Sequence, residues 1–353
     1  MSAKIRVLVV EDSITVRNRL VEVLGTDPEI TVVGEASDGQ RAVELCRELR
    51  PDVITMDMLL PVMSGLHATE QIMAHVPTPI LIVSSSINRG DLFQTYQALA
   101  SGAVDVLEKP SADDDEGAWE RKFLSTLKMV ARIRVITHIR GRMTAAMDLA
   151  PKLSAATSSL SVVAVGASTG GPAAVVELLR ALPRDLPLSV LLVLHIGAPF
   201  GQSFAEWLDG QIDQRVAFAT DGEPLHAGPG RVVMAPPDRH LTIKDGRLRL
   251  TTTPARHSCR PSVDVLFESV ALEVGAGAGA CLLTGMGRDG AAGLLAIRRA
   301  GGLTIAQDEA TSVVYGMPRE AVLLGAAERV LPLGEIGPTL VRLAHTSSGS
   351  RSA

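Results

Sequence analysis

Apolar positions fall into the same rhythm twice along this chain. In the first third, short continuous apolar runs alternate with segments of helical spacing. "IRVLVV" (Ile5–Val10), "TVVGEA" (Thr31–Ala36), "DVITMD" (Asp52–Asp57), "PILIVS" (Pro79–Ser84) and "DVLEKP" (Asp105–Pro110) read as buried strands with their exits. "TVRNRLVEVL" (Thr15–Leu24) and "DGQRAVELCREL" (Asp38–Leu49) have helical spacing. Continuous apolar strands separated by amphipathic helices predict an α/β fold, with a parallel sheet covered on both faces. The rhythm resumes at "VVAVG" (Val162–Gly166). It continues through "SVLLVLH" (Ser189–His195), "RVVMAPP" (Arg231–Pro237), "AGACLLTG" (Ala278–Gly285), "GLTIAQ" (Gly302–Gln307) and "RVLPL" (Arg329–Leu333). "LTIKDGRLRL" (Leu241–Leu250) predicts a hairpin turning at Asp245-Gly246.

Between the two halves the pattern changes. An acidic break, "SADDDEG" (Ser111–Gly117), precedes a helix predicted from about Trp119 to Arg142. Phe123, Leu127, Val130, Ile133 and Ile136 form its stripe, and Arg132, Arg134, Arg140 and Arg142 lie largely outside it. A small, polar, Pro-containing stretch, Ala145–Ser161, reads as a linker. The expected organisation is a first domain over 4–125, a helical extension and linker over 126–159, a second domain over 160–345 and a disordered tail over 346–353.

Composition narrows the function. The chain has 353 residues, of which 46% are hydrophobic, enough for two packed cores. A net charge of -5 gives no reason to expect nucleic acid as a partner. No apolar run reaches membrane-spanning length, and the run Ile5–Val10 is too short for a secretory leader, so a soluble cytoplasmic protein without membrane insertion is expected. Cys46, Cys259 and Cys281 show no C-x-x-C spacing, which argues against both a disulfide framework and a zinc site.

Open parallel sheets bind ligands beyond the carboxyl ends of their strands. In the first domain those ends carry Glu11, Asp12, Asp57, Ser84 and Lys109. Three clustered carboxylates repel one another unless a cation sits among them, and hard oxygen donors at this density suit Mg²⁺. A carboxylate can also accept a phosphoryl group as an acyl phosphate, which Lys109 would neutralise and Ser84 would hydrogen-bond. Taken singly, Asp57 could cap a turn and Lys109 be an ordinary surface cation.

With "VVEDS", "MDMLLP..SG", "IVSS" and "GAVDVLEKP" in this order, residues Ile5–Pro110 resemble a response-regulator receiver domain, a flavodoxin-like doubly wound sheet. The resemblance implies phosphorylation of Asp57, with Mg²⁺ held by Glu11, Asp12, Asp57 and the Leu59 carbonyl. It makes Ser84 and Lys109 the switch residues. Two positions depart from the pattern: Leu60 stands where Met usually precedes the proline, and Val106 where an aromatic switch residue is common.

The second domain opens with "VVAVGASTGGP" (Val162–Pro172). It lacks the lysine of a phosphate-binding P-loop and does not fit G-x-G-x-x-G, but Gly166–Gly170 satisfies G-x-S-x-G. That motif can lift Ser168 above a sheet at a strand-to-helix turn, with backbone N–H groups near an incoming carbonyl oxygen. By itself a Ser-Thr pair in a glycine-rich turn is as readily a helix cap. His195 ends the next buried strand, where an adjacent parallel strand places it beside Ser168 as a base. Asp289, in "LLTGMGRDG", leaves another strand through a glycine-rich exit and could orient that base or cap the helix starting near Ala291. The alternative order, Ser168 with Asp238 and His257, places its pair on loops without strand ends.

"GASTGGP", "RPSVDVLF" (Arg260–Phe267), "TGMGRDGAAG" and "TIAQDEATSVVYGMP" (Thr304–Pro318), behind a receiver, are similar to the chemotaxis protein-glutamate methylesterase family, CheB. The resemblance spans nearly the whole chain apart from linker and tail. It implies a doubly wound α/β methylesterase domain with Ser168, His195 and Asp289 as catalytic triad, an oxyanion site near Met286, and Thr169 beside the nucleophile. It further implies hydrolysis of glutamate methyl esters on chemoreceptor signalling helices, with glutamine deamidation in some members. The implied partners are methyl-accepting chemoreceptors and a CheA-type histidine kinase. Ester hydrolysis would need no cofactor, Mg²⁺ serving only phosphorylation. A scaffold with a non-catalytic second domain is the first competing reading, and the intact Ser168, His195 and Asp289 argue against it. A DNA-binding regulator is the second, and no basic helix-turn-helix pattern follows the receiver.

Overall fold

The computed structural model describes residues 4–85, 89–110, 117–133, 135, 160–196, 198–201, 203–226 and 230–346. The first unit runs β1 (Ile5–Val10), α1 (Ile14–Gly25), β2 (Ile30–Ala36), α2 (Gly39–Leu49), β3 (Val53–Met56), α3 (Gly65–His75), β4 (Ile80–Ser84), α4 (Arg89–Ala100), β5 (Asp105–Glu108) and α5 (Ala118–Val130). Its five strands pair in parallel in the order β2-β1-β3-β4-β5. Residues of one sheet face pack against α2, α3 and α4, and those of the other against α1 and α5. The apolar runs form strands because both faces are covered, as the pattern predicted.

The predicted long helix is shorter than its stripe. It ends at Val130, with Ala131 as its C-cap, and it passes residue 125 without interruption. Trp119, Phe123, Leu127 and Val130 are its buried positions in the first core, and Ile133 packs on the same core beyond the helix end. Arg132 is exposed, while Arg134, Ile136, Arg140 and Arg142 lie outside the described residues, as do the linker up to 159 and the tail beyond 346.

The second unit runs β6 (Val162–Ala167), α6 (Gly171–Arg180), β7 (Ser189–Leu194), α7 (Ala198–Gly201), α8 (Phe204–Asp209), β8 (Arg215–Phe218), β9 (Arg231–Met234), β10 (His240–Lys244), β11 (Arg247–Thr251), α9 (Val263–Glu273), β12 (Ala278–Leu282), α10 (Ala291–Arg299), β13 (Leu303–Gln307), α11 (Met317–Leu323), β14 (Arg329–Leu331) and α12 (Leu333–Thr346). Seven strands form a parallel sheet in the order β14-β13-β12-β6-β7-β9-β8. The chain travels outward from β6 to β7 and beyond, then returns to β12 on the other side of β6. The order therefore reverses between β6 and β12, where open α/β sheets place their sites. β10 and β11 form the antiparallel hairpin, with positive φ at Asp245 and Gly246 as its tight turn requires.

The two units meet through α4 and β5. Leu92 and Tyr96 of α4 are buried in the core of the second unit. The Tyr96 ring meets Phe204 edge-on at 5.3 Å and Trp207 at 5.4 Å, and its hydroxyl donates to the Phe200 carbonyl. Arg89 and Glu206 pair across the same boundary, both exposed, an arrangement that contributes little.

Candidate active site

Ser168 follows directly on β6, and His195 on β7. The strands pair Ala167 with Leu194, so the two residues leave the sheet side by side. The His195 N–H donates to the Ala167 carbonyl at 3.0 Å. The strand exit around Ser168 depends on glycine at two points. Gly170 caps α6 with φ 75, in the left-handed region. At Gly166 a Cβ would lie 2.3 Å from Val263 Cγ1, so only glycine lets α9 close on this strand end. The left-handed backbone sits at Gly170 and not at Ser168, which is absent from the positive-φ residues.

Thr284, after β12, fastens this turn. Its carbonyl accepts from Ser168 N–H at 3.0 Å, and its hydroxyl donates to the Thr169 carbonyl at 3.0 Å. Gln307 Oε1 in turn accepts from the Thr284 N–H at 2.8 Å. Neither Thr284 nor Gln307 stands out in the sequence, since a polar residue at a strand end has many uses.

Asp289 is buried and accepts from His195 Nε2 at 3.0 Å. It does not cap its own helix; Gly290 occupies that position for α10. Instead it receives the start of α9: Ser262 Oγ at 2.8 Å, Val263 N–H at 2.7 Å and Asp264 N–H at 3.1 Å. Burial alone would raise the Asp289 carboxyl. The His195 ring and the Asp264 and Val263 N–H groups outweigh it and hold the group below the usual carboxylate range. The His195 ring moves the other way. Burial would lower it, but the bonds to Asp289 and to the Cys259 sulfur raise it to about 9.

A carboxylate accepts only, so in the neutral ring the proton sits on Nε2 and the Nδ1 lone pair faces outward. Cys259 Sγ lies 3.7 Å from Nδ1. Cys259 was not among the expected site residues. Its loop brings it there through left-handed backbone at His257 and Ser258.

The alternative pair does not assemble. Asp238 is exposed in the turn before β10, while the His257 ring pairs with Asp264 at 3.2 Å and accepts from Arg288 at 3.3 Å. Met286 is 58% exposed in the loop after β12, open to an approaching chain. Thr169 is buried, and its side chain is turned to the first unit: Oγ1 donates to Asp105 Oδ2 at 3.3 Å. Gly170 N–H, at the start of α6, donates to the Val104 carbonyl at 3.3 Å. Both acceptors belong to the first unit.

At the rim of the first sheet, Glu11, Asp12 and Asp57 offer carboxylate oxygens within 4.8 Å of one another. Lys109 Nζ bridges Glu11 at 2.8 Å and Asp57 at 2.9 Å. Burial and the Asp57 charge push the Glu11 carboxyl up to about 7 despite Lys109. Burial raises Asp57 too, opposed by Lys109. The Ser84 hydroxyl is buried without a hydrogen-bond partner among the described residues.

Two family models match the chain: the response regulator receiver domain over residues 7–116 and CheB methylesterase over residues 163–340. The chain belongs to the CheB methylesterase family. A relative from Anaeromyxobacter dehalogenans, named protein-glutamate methylesterase/protein-glutamine glutaminase 2, is 45% identical over 339 residues, 96% of this chain and 97% of its own length. A relative of the same name from Pseudomonas aeruginosa is 45% identical over 356 residues, covering 98% and 99%. Among solved structures, the Thermotoga maritima CheB methylesterase catalytic domain aligns with TM-score 0.50 and 35% identity, covering 52% of this chain and 99% of that one. Both units of this CheB-family chain are therefore the expected ones, a receiver followed by a CheB-type domain.

Proposed function

We propose that this chain is a phosphorylation-gated serine hydrolase that removes methyl esters from glutamates of chemoreceptor signalling helices, and deamidates glutamines there, in the cytoplasm. The observation that carries the reading is the buried Asp289–His195 pair at the sheet's switch point, with Ser168 on the adjoining strand end. Ser168 Oγ attacks the ester carbonyl and gives its proton to His195 Nδ1. Asp289 stabilises the resulting imidazolium through Nε2. The tetrahedral oxyanion forms at the start of α6, where backbone N–H groups and the helix dipole favour negative charge. Collapse expels methanol, which takes the proton from His195; for an amide the leaving group is ammonia. Water, activated by the same ring, then cleaves the acyl-serine to glutamate.

A methyl ester on a helix is a small target on a broad surface, and the open loop at Met286 suits such a substrate better than a deep pocket would. In the receiver, Glu11, Asp12, Asp57 and the Leu59 carbonyl would hold Mg²⁺, which neutralises charge on the phosphoryl group passed to Asp57 from a CheA-type histidine kinase. Three hard carboxylate donors fit that ion. Lys109 would bond the new phosphoryl group, and Ser84 has a hydroxyl to spare for it.

The test is release of radiolabelled methanol from membranes bearing methylated receptors. Wild-type protein releases it, and Ser168→Ala reduces turnover by roughly 10⁶-fold, as loss of a triad nucleophile does elsewhere. Activity of the variant within tenfold of wild type would refute the assignment.

A further inference from the structure

We infer that Cys259 and His195 form an inhibitory binding site for a borderline-soft divalent cation, with Zn²⁺ the best match. The inference rests on the reading of His195 as the base, because it concerns the atom that base must use. Asp289 accepts from Nε2 at 3.0 Å, leaving Nδ1 to bear the lone pair. The proton of Ser168 must go to that same Nδ1.

Cys259 Sγ stands 3.7 Å from it. Tetrahedral zinc, with bonds of about 2.3 Å to sulfur and about 2.1 Å to nitrogen, separates those two atoms by about 3.6 Å. The distance is therefore already that of two ligands sharing one ion. Asp289 holds the far nitrogen as the outer carboxylate of a carboxylate–histidine–zinc arrangement does. It acts from behind the ring and is itself filled by Ser262, Val263 and Asp264, so solvent supplies the remaining positions.

Further features favour the sulfur. Cys46 and Cys281 are buried, whereas Cys259 is partly open. The loop carrying it is fixed by left-handed backbone at two non-glycine residues, His257 and Ser258, a cost that persists only where the surroundings enforce it. His257 is anchored by Asp264, and Arg256 pairs with the same carboxylate at 3.6 Å. No step of ester hydrolysis uses the thiol. On binding, the Cys259 thiol loses its proton to solvent, sulfur and Nδ1 each donate a pair to the cation, and nothing is oxidised or reduced. With Nδ1 occupied, Ser168 has no base. The spacing of cysteines along the chain does not reveal this site, because its second ligand is a histidine 64 residues away.

Co²⁺ added to the full chain, with excess Mg²⁺ to saturate the acidic pocket, reports the site by thiolate-to-metal charge-transfer absorption. The expected result is that band in wild type and in Ser168→Ala, its loss in Cys259→Ser with unchanged circular dichroism, and its displacement by Zn²⁺. Zn²⁺ should also suppress methanol release by wild type much more than by Cys259→Ser, each compared with its own metal-free rate. No charge-transfer band, a band that persists in Cys259→Ser, or equal zinc sensitivity of the two proteins overturns the site. A normal band in a protein that releases no methanol overturns the hydrolase reading and leaves the metal site standing.

Discussion

Thr169 Oγ1 donates a hydrogen bond to Asp105 Oδ2 of the receiver, 3.3 Å away, so the residue next to Ser168 is held by the other domain. Beside it, the Val104 carbonyl takes up the Gly170 N–H at 3.3 Å. Val104 and Asp105, where the receiver's β5 begins, thus meet the start of α6, the position proposed above for the oxyanion.

Removing that hold should raise the basal rate. Asp105→Ala deletes one modest hydrogen bond between the units, worth about 1 kcal/mol, besides a local one to the Val106 N–H, so release without phosphodonor should increase roughly fivefold. A fragment beginning at Leu160 should exceed it. Acetyl phosphate with Mg²⁺ should activate full-length protein and leave Asp57→Ala unchanged. Initial rates of methanol release compare all four. A fragment slower than the resting full chain would mean that the receiver assists substrate engagement.

The cradle around Asp289 can be dissected. Asp289→Asn should cut turnover by about 10⁴-fold, by the precedent of other triads, while Asp238→Asn stays near wild type. Ser262→Ala removes a hydrogen bond to a charged group, worth about 1.5–3 kcal/mol, and should lower kcat by roughly 10–100-fold with little change in KM. Ser262→Thr restores the hydroxyl and should recover most of the loss. If Ser262→Ala and Ser262→Thr lose stability and activity in parallel, Ser262 acts only as the cap of α9.

The rate should climb with pH. His195 is a base only when neutral, and its neighbours raise it to about 9 from an ordinary value near 6.5. kcat/KM of the phosphodonor-activated chain should therefore rise through neutrality and level off above about pH 9. Stability runs the opposite way. A raised folded-state value contributes stability that is complete below about pH 6.5 and is lost as pH climbs through 9. Asp289→Asn, lacking the anion, should move the inflection down. A wild-type inflection at the ordinary value would show that Asp289 does not hold the ring's charge.

Strand ends were the legible part of this sequence. Ser168, His195, Asp57 and Lys109 all follow or end apolar runs whose burial makes them strands, so one rule located them. β8 escaped because its residues alternate at an exposed sheet edge and carry no continuous apolar run. The end of α5 was overextended because Ile133 prolongs the apolar spacing and still packs on the core after the helix has ended at Val130. Asp289 lies against His195, but the helix it also receives was not legible: a carboxylate capping α9 from 25 residues downstream leaves no local signature. Cys259 and the contact between β5 and α6 depend on how loops and domains meet, which periodicity does not encode.

Tyr96 carries much of the contact between the two units. It lies on the receiver yet is buried in the hydrolase core, with Leu92 beside it and Val106 packed at its margin. Asp57, Glu11 and Lys109 cluster instead around one ion-paired lysine at the rim of the receiver sheet. The groups proposed to accept a phosphoryl group and the residues that join the receiver to the second unit are thus separate sets. A receiver borrowed from an unrelated regulator would bring the first without the second, and with it no means of docking on this domain. Grafting Leu92, Tyr96, Asp105 and Val106 onto it should carry the docking face across, making the α4–β5 surface a portable connector between a receiver and this second domain.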